Sequence, residues 1–317
     1  MTEPLRITGT FLDEVTADIA GHNWGVKEWT QEFDTYVEAG IDTVILIRSG
    51  WGPRLSHPSK VISAQVKTIP VYMDMPELFL SLADERNIKF YFGLYDSGVY
   101  WNRNDWKGEV EVNRDYIPEV WHRYGSHKSF AGWYLPHETY DSGQRIIELN
   151  TSLAKLCRQT QDLPILSSPY WLGRYDMSLG YSLPAPSPRS LKEIVTQWDE
   201  IFKAYSGLID VAAFQDGTVY ELELPETLSA MRELTDKYGL SLWSNVETFD
   251  RDMPIKFPPI EWRKLVHKLT SAEGIVDKAI TFEFSHFLSP HSMWPSARHL
   301  FDRYQEYLHG EHRALDQ

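Results

Sequence analysis

Eight times along this chain a short run rich in β-branched and aromatic residues gives way to a stretch with helical apolar period. No other feature constrains the fold as strongly. The runs are Ile7–Leu12, Thr43–Arg48, Lys89–Leu94 and Phe130–Glu138, then Pro164–Trp171, Val211–Asp216, Ser241–Glu247 and Lys278–Phe284. The helical stretches that follow them lie near Lys27–Ala39, Pro76–Glu85, Tyr116–Tyr124, Gly143–Gln161, Ser190–Tyr205, Pro225–Tyr238, Pro259–Ser271 and Ser296–Leu308. A helix between two strands returns the chain to its starting side, so such strands pair in parallel, and eight repeats predict closure. The expected fold is α/β, a single (β/α)₈ barrel over residues 1–317. An open doubly wound sheet would carry a glycine-rich phosphate turn after its first strand, and Asp13–Trp24 contains none.

The connections are unequal in a way that places a site. Helix-to-strand links are short, as in Ala39-Gly-Ile-Asp and Tyr238-Gly-Leu-Ser. Strand-to-helix links are long and aromatic, and in a barrel these gather on the face where active sites form. Trp24, Trp51, Tyr95, Trp101, Tyr170 and Trp171 all fall in such links and are expected to stack on sugar rings. The proline-rich Leu183–Arg189 falls in the fifth link and reads as a stiff rim for a cleft.

Four of the runs carry a carboxylate at or next to their C-terminal end: Glu138, Asp216, Glu247 and Glu283. Glycosidic hydrolysis needs a protonated acid at the leaving oxygen and a second carboxylate as nucleophile or base. Glu138, among Tyr134, His137 and Tyr140, sits in surroundings that favour the protonated form, which suits the acid/base. Glu247 follows Asn245 and precedes Thr248, polar neighbours that suit an ionised nucleophile. Asp216, Glu283, Asn245 and His137 are then expected to bind substrate or tune the pair. Strand alternation puts Glu283 with Thr281 toward the barrel mouth, and Phe282 and Phe284 toward the helices. Arg48 and Arg54 could bind a carboxylate-bearing sugar, or stabilise their loop by ion pairing.

The motifs Thr8-Gly-Thr-Phe11, Gly132-Trp-Tyr-Leu-Pro-His-Glu138, Ala213-Phe-Gln-Asp-Gly217 and Trp243-Ser-Asn-Val-Glu247 span nearly the whole chain. In them the chain resembles domain-of-unknown-function family 4434, a group of glycoside-hydrolase-like barrels. That resemblance implies hydrolase chemistry and leaves the substrate open. Glutamates after the fourth and seventh strands also resemble the large clan of retaining (β/α)₈ glycoside hydrolases, which implies a retaining mechanism. Members of that clan usually carry Asn before the first glutamate, where this chain has His137.

A carbohydrate is thus the expected partner, with no cofactor and no metal. Two alternatives stay open: a metal-dependent hydrolase with His137, Asp216 and Glu283 as ligands, and a non-catalytic carbohydrate-binding barrel. His22, His137 and His286 are further candidates for a metal site with the carboxylates. The surplus of 45 acidic over 31 basic residues disfavours nucleic acid and anionic membranes. The lone Cys157 sits in a helical apolar context and reads as a small buried hydrophobe. The N-terminus has no basic region leading into an apolar stretch, so the expected location is cytoplasmic, as a monomer or small homo-oligomer.

Overall fold

The computed structural model describes residues 4–16, 19–173, 175–176, 183–184, 189–251 and 257–310. Eight parallel strands close into a barrel: β1 (Ile7–Leu12), β2 (Thr43–Leu46), β3 (Lys89–Gly93), β4 (Phe130–Leu135), β5 (Ile165–Ser167), β6 (Val211–Gln215), β7 (Ser241–Asn245) and β8 (Lys278–Thr281). Each strand pairs with its sequence neighbours, and β8 closes on β1 through Ile280 opposite Gly9. The outer ring is α1 (Val26–Ala39), α2 (Met75–Arg86), α3 (Trp106–Tyr124), α4 (Ile146–Thr160), α5 (Leu191–Tyr205), α6 (Leu224–Tyr238), α7 (Trp262–Ala272) and α8 (Pro295–Leu308). The expected (β/α)₈ barrel is the observed one. Of the proline-rich rim, 185–188 lies outside the described residues.

Local chemistry sets the helix starts. Asp74 and Asp105 accept backbone N–H bonds from Glu77 and Gly108 at the first turns of α2 and α3. Ser190 and Glu193 form a reciprocal capping box on α5. The third helix begins ten residues before its expected start near Tyr116, because the Asp105 cap precedes Gly108 and Pro118, which break the apolar pattern but not the helix.

Side chains alternate between two apolar layers. Leu46, Phe90, Phe92, Trp133, Leu135, Phe214 and Leu242 face the helices, packing with Trp29, Phe79 and Trp198. Phe11, Ile45, Tyr91, Tyr134, Leu166, Ala213 and Ile280 fill the barrel interior, with Trp243 and Phe282 against them. Gly132 makes room for this filling, since a Cβ there would lie 2.4 Å from the Tyr91 ring.

Beyond the strand ends, Gly50–Trp51, Arg54–Leu55 and Tyr95–Asp96 form a small sheet over the links after β2 and β3. A short helix, Lys60–Gln65, lies between this sheet and α2, and another, Phe284–Phe287, follows β8. Among the described residues no helix is long and apolar enough to cross a membrane. Cys157 is buried in α4, and burial pushes its thiol well above its ordinary value.

Candidate active site

The alternation that fills the barrel continues past the strand ends and sorts the candidate carboxylates. On β4 the interior position Tyr134 is followed in phase by Pro136 and Glu138, and on β7 Trp243 is followed by Asn245 and Glu247. Both glutamates reach a chamber over the barrel axis, about 260 Å³ in volume. Its walls include Phe11 in β1, Asp13 and Thr16 after it, Ile47 and Arg48 after β2, and Tyr134, Ser168, Gln215 and Asn245. Phe249, Arg251, Phe257 and Phe282 complete it. A second, lateral chamber of about 540 Å³ lies among the links after β2 to β5 and includes Trp51, Asp96, Trp101, Asn102, His137, Asp141 and Tyr170. Glu138 and Arg48 line both chambers and therefore mark their junction.

Glu247 is 1% exposed and is fixed from several directions. Arg251 donates to it twice, from Nε to Oε2 at 3.1 Å and from Nη2 to Oε1 at 2.9 Å. The Arg251 guanidinium in turn lies 4.9 Å from the Phe249 ring and 5.7 Å from that of Phe257. The Glu247 main chain is also held. Its N–H donates to Asp216 Oδ1 at 3.0 Å, and its carbonyl accepts from Lys268 Nζ at 3.2 Å. Lys268, reaching in from α7, also donates to Asp216 Oδ1 at 2.7 Å. Gly217 completes the cradle, since a Cβ there would fall 1.5 Å from Glu247 Oε2.

Burial pushes the Asp216 carboxyl up to about 6, with the charge of Glu247 adding to the rise and Lys268 opposing it. Arg48 is buried, which alone would disfavour its charge. The carboxylates of Asp96, Glu138 and Asp13 outweigh that and hold it firmly protonated. Arg48 Nη1 donates to Asp96 Oδ2 at 3.2 Å. Burial raises the Asp13 carboxyl despite the opposing charge of Arg48.

Several expected site residues sit elsewhere. Glu283 is fully buried but lines neither chamber: it accepts from the Asp13 N–H at 3.2 Å and pairs with His286. The expected orientation was inverted because Ile280, not Thr281, is the interior residue of β8, so Phe282 in phase with it reaches the axial chamber. Asp216 is likewise out of phase with Ala213 and Gln215 and stands behind Glu247, lining neither of these two chambers. Trp171 is buried against Phe214, and Trp24 packs on His22 and Trp29. Tyr95 is buried with its hydroxyl on the Gly52 carbonyl, and Arg54 is exposed away from both chambers. Apolar loop residues close to the strand ends are drawn under the loops, which removes Trp24, Tyr95 and Trp171 from the chambers. Trp51, Trp101, Tyr170, His137, Asn245 and Arg48 do line them.

His137 has a fully buried side chain 3.3 Å from Glu109, beside Asp96. Glu109 also accepts from Ser97, and the hydrogen bonds and charge of His137 and Ser97 hold its carboxyl below the usual range against the effect of burial. His137, Asp216 and Glu283 each have different partners, so the expected ligand set for a metal-dependent hydrolase does not assemble. His22 and His286 cluster with Glu14, apart from His137. Arg251 is the main site residue missing from the sequence reading. It follows the seventh strand in a link whose contacts are set by the fold, and only its position four residues after Glu247 hints at the pairing.

Comparison with solved structures adds a close relative. The chain is similar to a Bacteroides thetaiotaomicron protein provisionally named an alpha-L-fucosidase, with 42% identity, 97% of this chain and 96% of that chain covered, and a TM-score of 0.92. It shares the barrel fold with a beta-glucosidase from Thermotoga maritima at 10% identity, covering 92% and 90% of the two chains, TM-score 0.52. The same fold similarity extends to the carboxyl transferase domain of Rhizobium etli pyruvate carboxylase at 13% identity, covering 97% and 47%, TM-score 0.53. The barrel by itself therefore does not select a chemistry. Among curated proteins none matches the chain. The model of the domain of unknown function DUF4434 matches residues 7–294, and the chain belongs to that family.

Proposed function

We propose that this protein is a glycoside hydrolase in which Glu138 is the general acid/base and Glu247 the nucleophile. The observation that carries this reading is that the two carboxylates line one chamber, while Glu138 also borders the second. A glycosidic bond across that junction puts the sugar ring over the barrel axis and the leaving group among the lateral aromatics. Glu138 then protonates the departing oxygen as Glu247 forms a bond to the anomeric carbon. Deprotonated Glu138 next takes a proton from water, which cleaves the glycosyl ester and restores both groups.

Asp13, Ser168, Gln215 and Asn245 offer polar contacts to hydroxyls in the axial chamber, and Trp51, Trp101 and Tyr170 offer ring faces in the lateral one. The name of the Bacteroides relative makes a deoxyhexose such as L-fucose the first sugar to test. The phenyl groups of Phe11, Phe249, Phe257 and Phe282 suit the methyl group of such a sugar.

The test is hydrolysis of a panel of glycosides, α-L-fucosides included, by wild type, Glu138→Gln and Glu247→Gln. Turnover by wild type and loss in both variants is the expected result. Glu138→Gln should slow poor leaving groups by about two to four orders of magnitude and spare activated aryl leaving groups. Saccharide binding without turnover anywhere on the panel would replace the hydrolase reading with a carbohydrate-binding one.

A further inference from the structure

The link after β1 and the short helix after β8 meet in a buried group of four side chains that the proposed hydrolysis does not use. They are Glu14, His22, Glu283 and His286, with side chains 5%, 1%, 0% and 1% exposed. The two imidazole centroids are 3.6 Å apart. Donor atoms of Glu14, His22 and His286 lie within 4.8 Å of one another, and Glu283 abuts His286 Nδ1.

Hydrogen bonding at the imidazoles shows what this group lacks. His286 Nε2 is 2.6 Å from the Ala20 carbonyl, which only accepts, so Nε2 carries a proton. Nδ1 then faces the Glu283 carboxylate at ion-pair contact, too close for a metal ion to lie between them, so Nδ1 carries a second proton that a metal ion at this nitrogen would displace. A ligating histidine characteristically has its other N–H held by a carbonyl in this way. His22 Nδ1 lies 2.5 Å from Glu14 Oε1, while its Nε2 is buried with no hydrogen-bond partner. A buried ring nitrogen without a partner is costly in a protein interior. Two further carboxyl oxygens near Glu283, Glu32 Oε1 and Asp13 Oδ2, are buried without hydrogen-bond partners.

We propose that Glu14, His22 and His286, with Glu283 beside them, bind a divalent transition metal of the zinc class. Imidazole nitrogens with carboxylate oxygens form a donor set that suits Zn²⁺, and closed sites of this kind serve structure. Here the ion ties the link after β1 to the segment after β8. Because Glu283 accepts from the Asp13 N–H, the same tie fixes Asp13 on the wall of the axial chamber. The site is independent of the hydrolase reading, and its test does not use activity.

The experiment is metal analysis and thermal melting of the full chain, stripped with a chelator and then titrated with Zn²⁺. One zinc per chain that survives dialysis, with a rise in melting temperature as zinc is added, is the expected result. His22→Gln and His286→Gln, which keep side-chain bulk, should each lose the retained zinc and its effect on melting. His137→Gln, in the separate Asp96–Glu109–His137 cluster, should retain both. Wild type that binds no zinc and melts unchanged across the titration would overturn the site, whether or not the variants fold. Zinc retained by both His22→Gln and His286→Gln, or lost in His137→Gln, would overturn it equally.

Discussion

Arg251 holds Glu247 by both carboxylate oxygens, with its guanidinium against the contacting rings of Phe249 and Phe257. Such a fork fixes the carboxylate plane as well as balancing its charge. Arg251→Ala should therefore lower kcat/KM by roughly ten- to a hundredfold, the range for hydrogen bonds to a charged group. Arg251→Lys keeps the charge but not the fork, and should recover only part of the loss. Steady-state kinetics on the substrate found by the panel checks both, and full recovery by lysine would reduce the role of Arg251 to charge alone.

Gly217 leaves room for the Glu247 carboxylate, since a Cβ at that position would stand 1.5 Å from Oε2. In Gly217→Ala the carboxylate must move by more than an ångström, a displacement that costs about a hundredfold in rate. Turnover should drop, and the melting temperature should fall as well, because the buried Glu247–Arg251 fork is displaced. Wild-type kinetics in this variant would mean that Glu247 does not react from its observed position.

The Asp216 carboxyl, raised to about 6 by burial, gives the protein a pH signature. A carboxyl raised on folding binds its proton more tightly in the folded state. Its stabilising contribution is therefore complete below the unfolded value and is lost as pH rises toward 6. The stability of wild type relative to Asp216→Asn should accordingly decline between about pH 4 and pH 6 and then level off. Melting curves across that range test the sign. In turnover, protonating Asp216 leaves buried Lys268 without its anionic partner beside the Glu247 main chain, so wild-type activity should fall below pH 6.

Two tryptophans that look alike in sequence should behave oppositely. Trp171 is buried with its ring 4.3 Å from that of Phe214, and Trp171→Ala should cost about 3–5 kcal/mol of stability. Trp101 lines the lateral chamber and remains partly exposed, so Trp101→Ala should raise KM with a small change in melting temperature. Measuring KM and melting for the pair separates a core role from a binding one.

The barrel was legible because eight strand-to-helix alternations leave little choice of topology, and Ile7–Leu12 and Lys89–Gly93 lie within a residue of their expected limits. Glu138 and Glu247 were legible for a related reason: each continues the phase of an interior aromatic, Tyr134 or Trp243. Phase misled at Glu283, where two phenylalanines suggested the helix layer although the barrel interior itself takes bulky rings such as Phe11 and Phe282. Arg251, Lys268 and Gly217 were not legible as partners of Glu247. Their contacts join a link, a helix and a turn that meet only after the barrel closes.

The two chambers draw on different stretches of chain. The lateral one is built between Arg48 and Tyr170, whereas most of the axial wall comes from the links after β1 and from Ser168 onward. Under the hydrolase reading, preference for the departing group and preference for the retained sugar are thus encoded in largely separate segments. Divergence within the family, or laboratory recombination of its members, has a natural crossover near Tyr170. Exchange of the segment from Arg48 to that point should carry a new aglycone while most of the glycone wall stays intact.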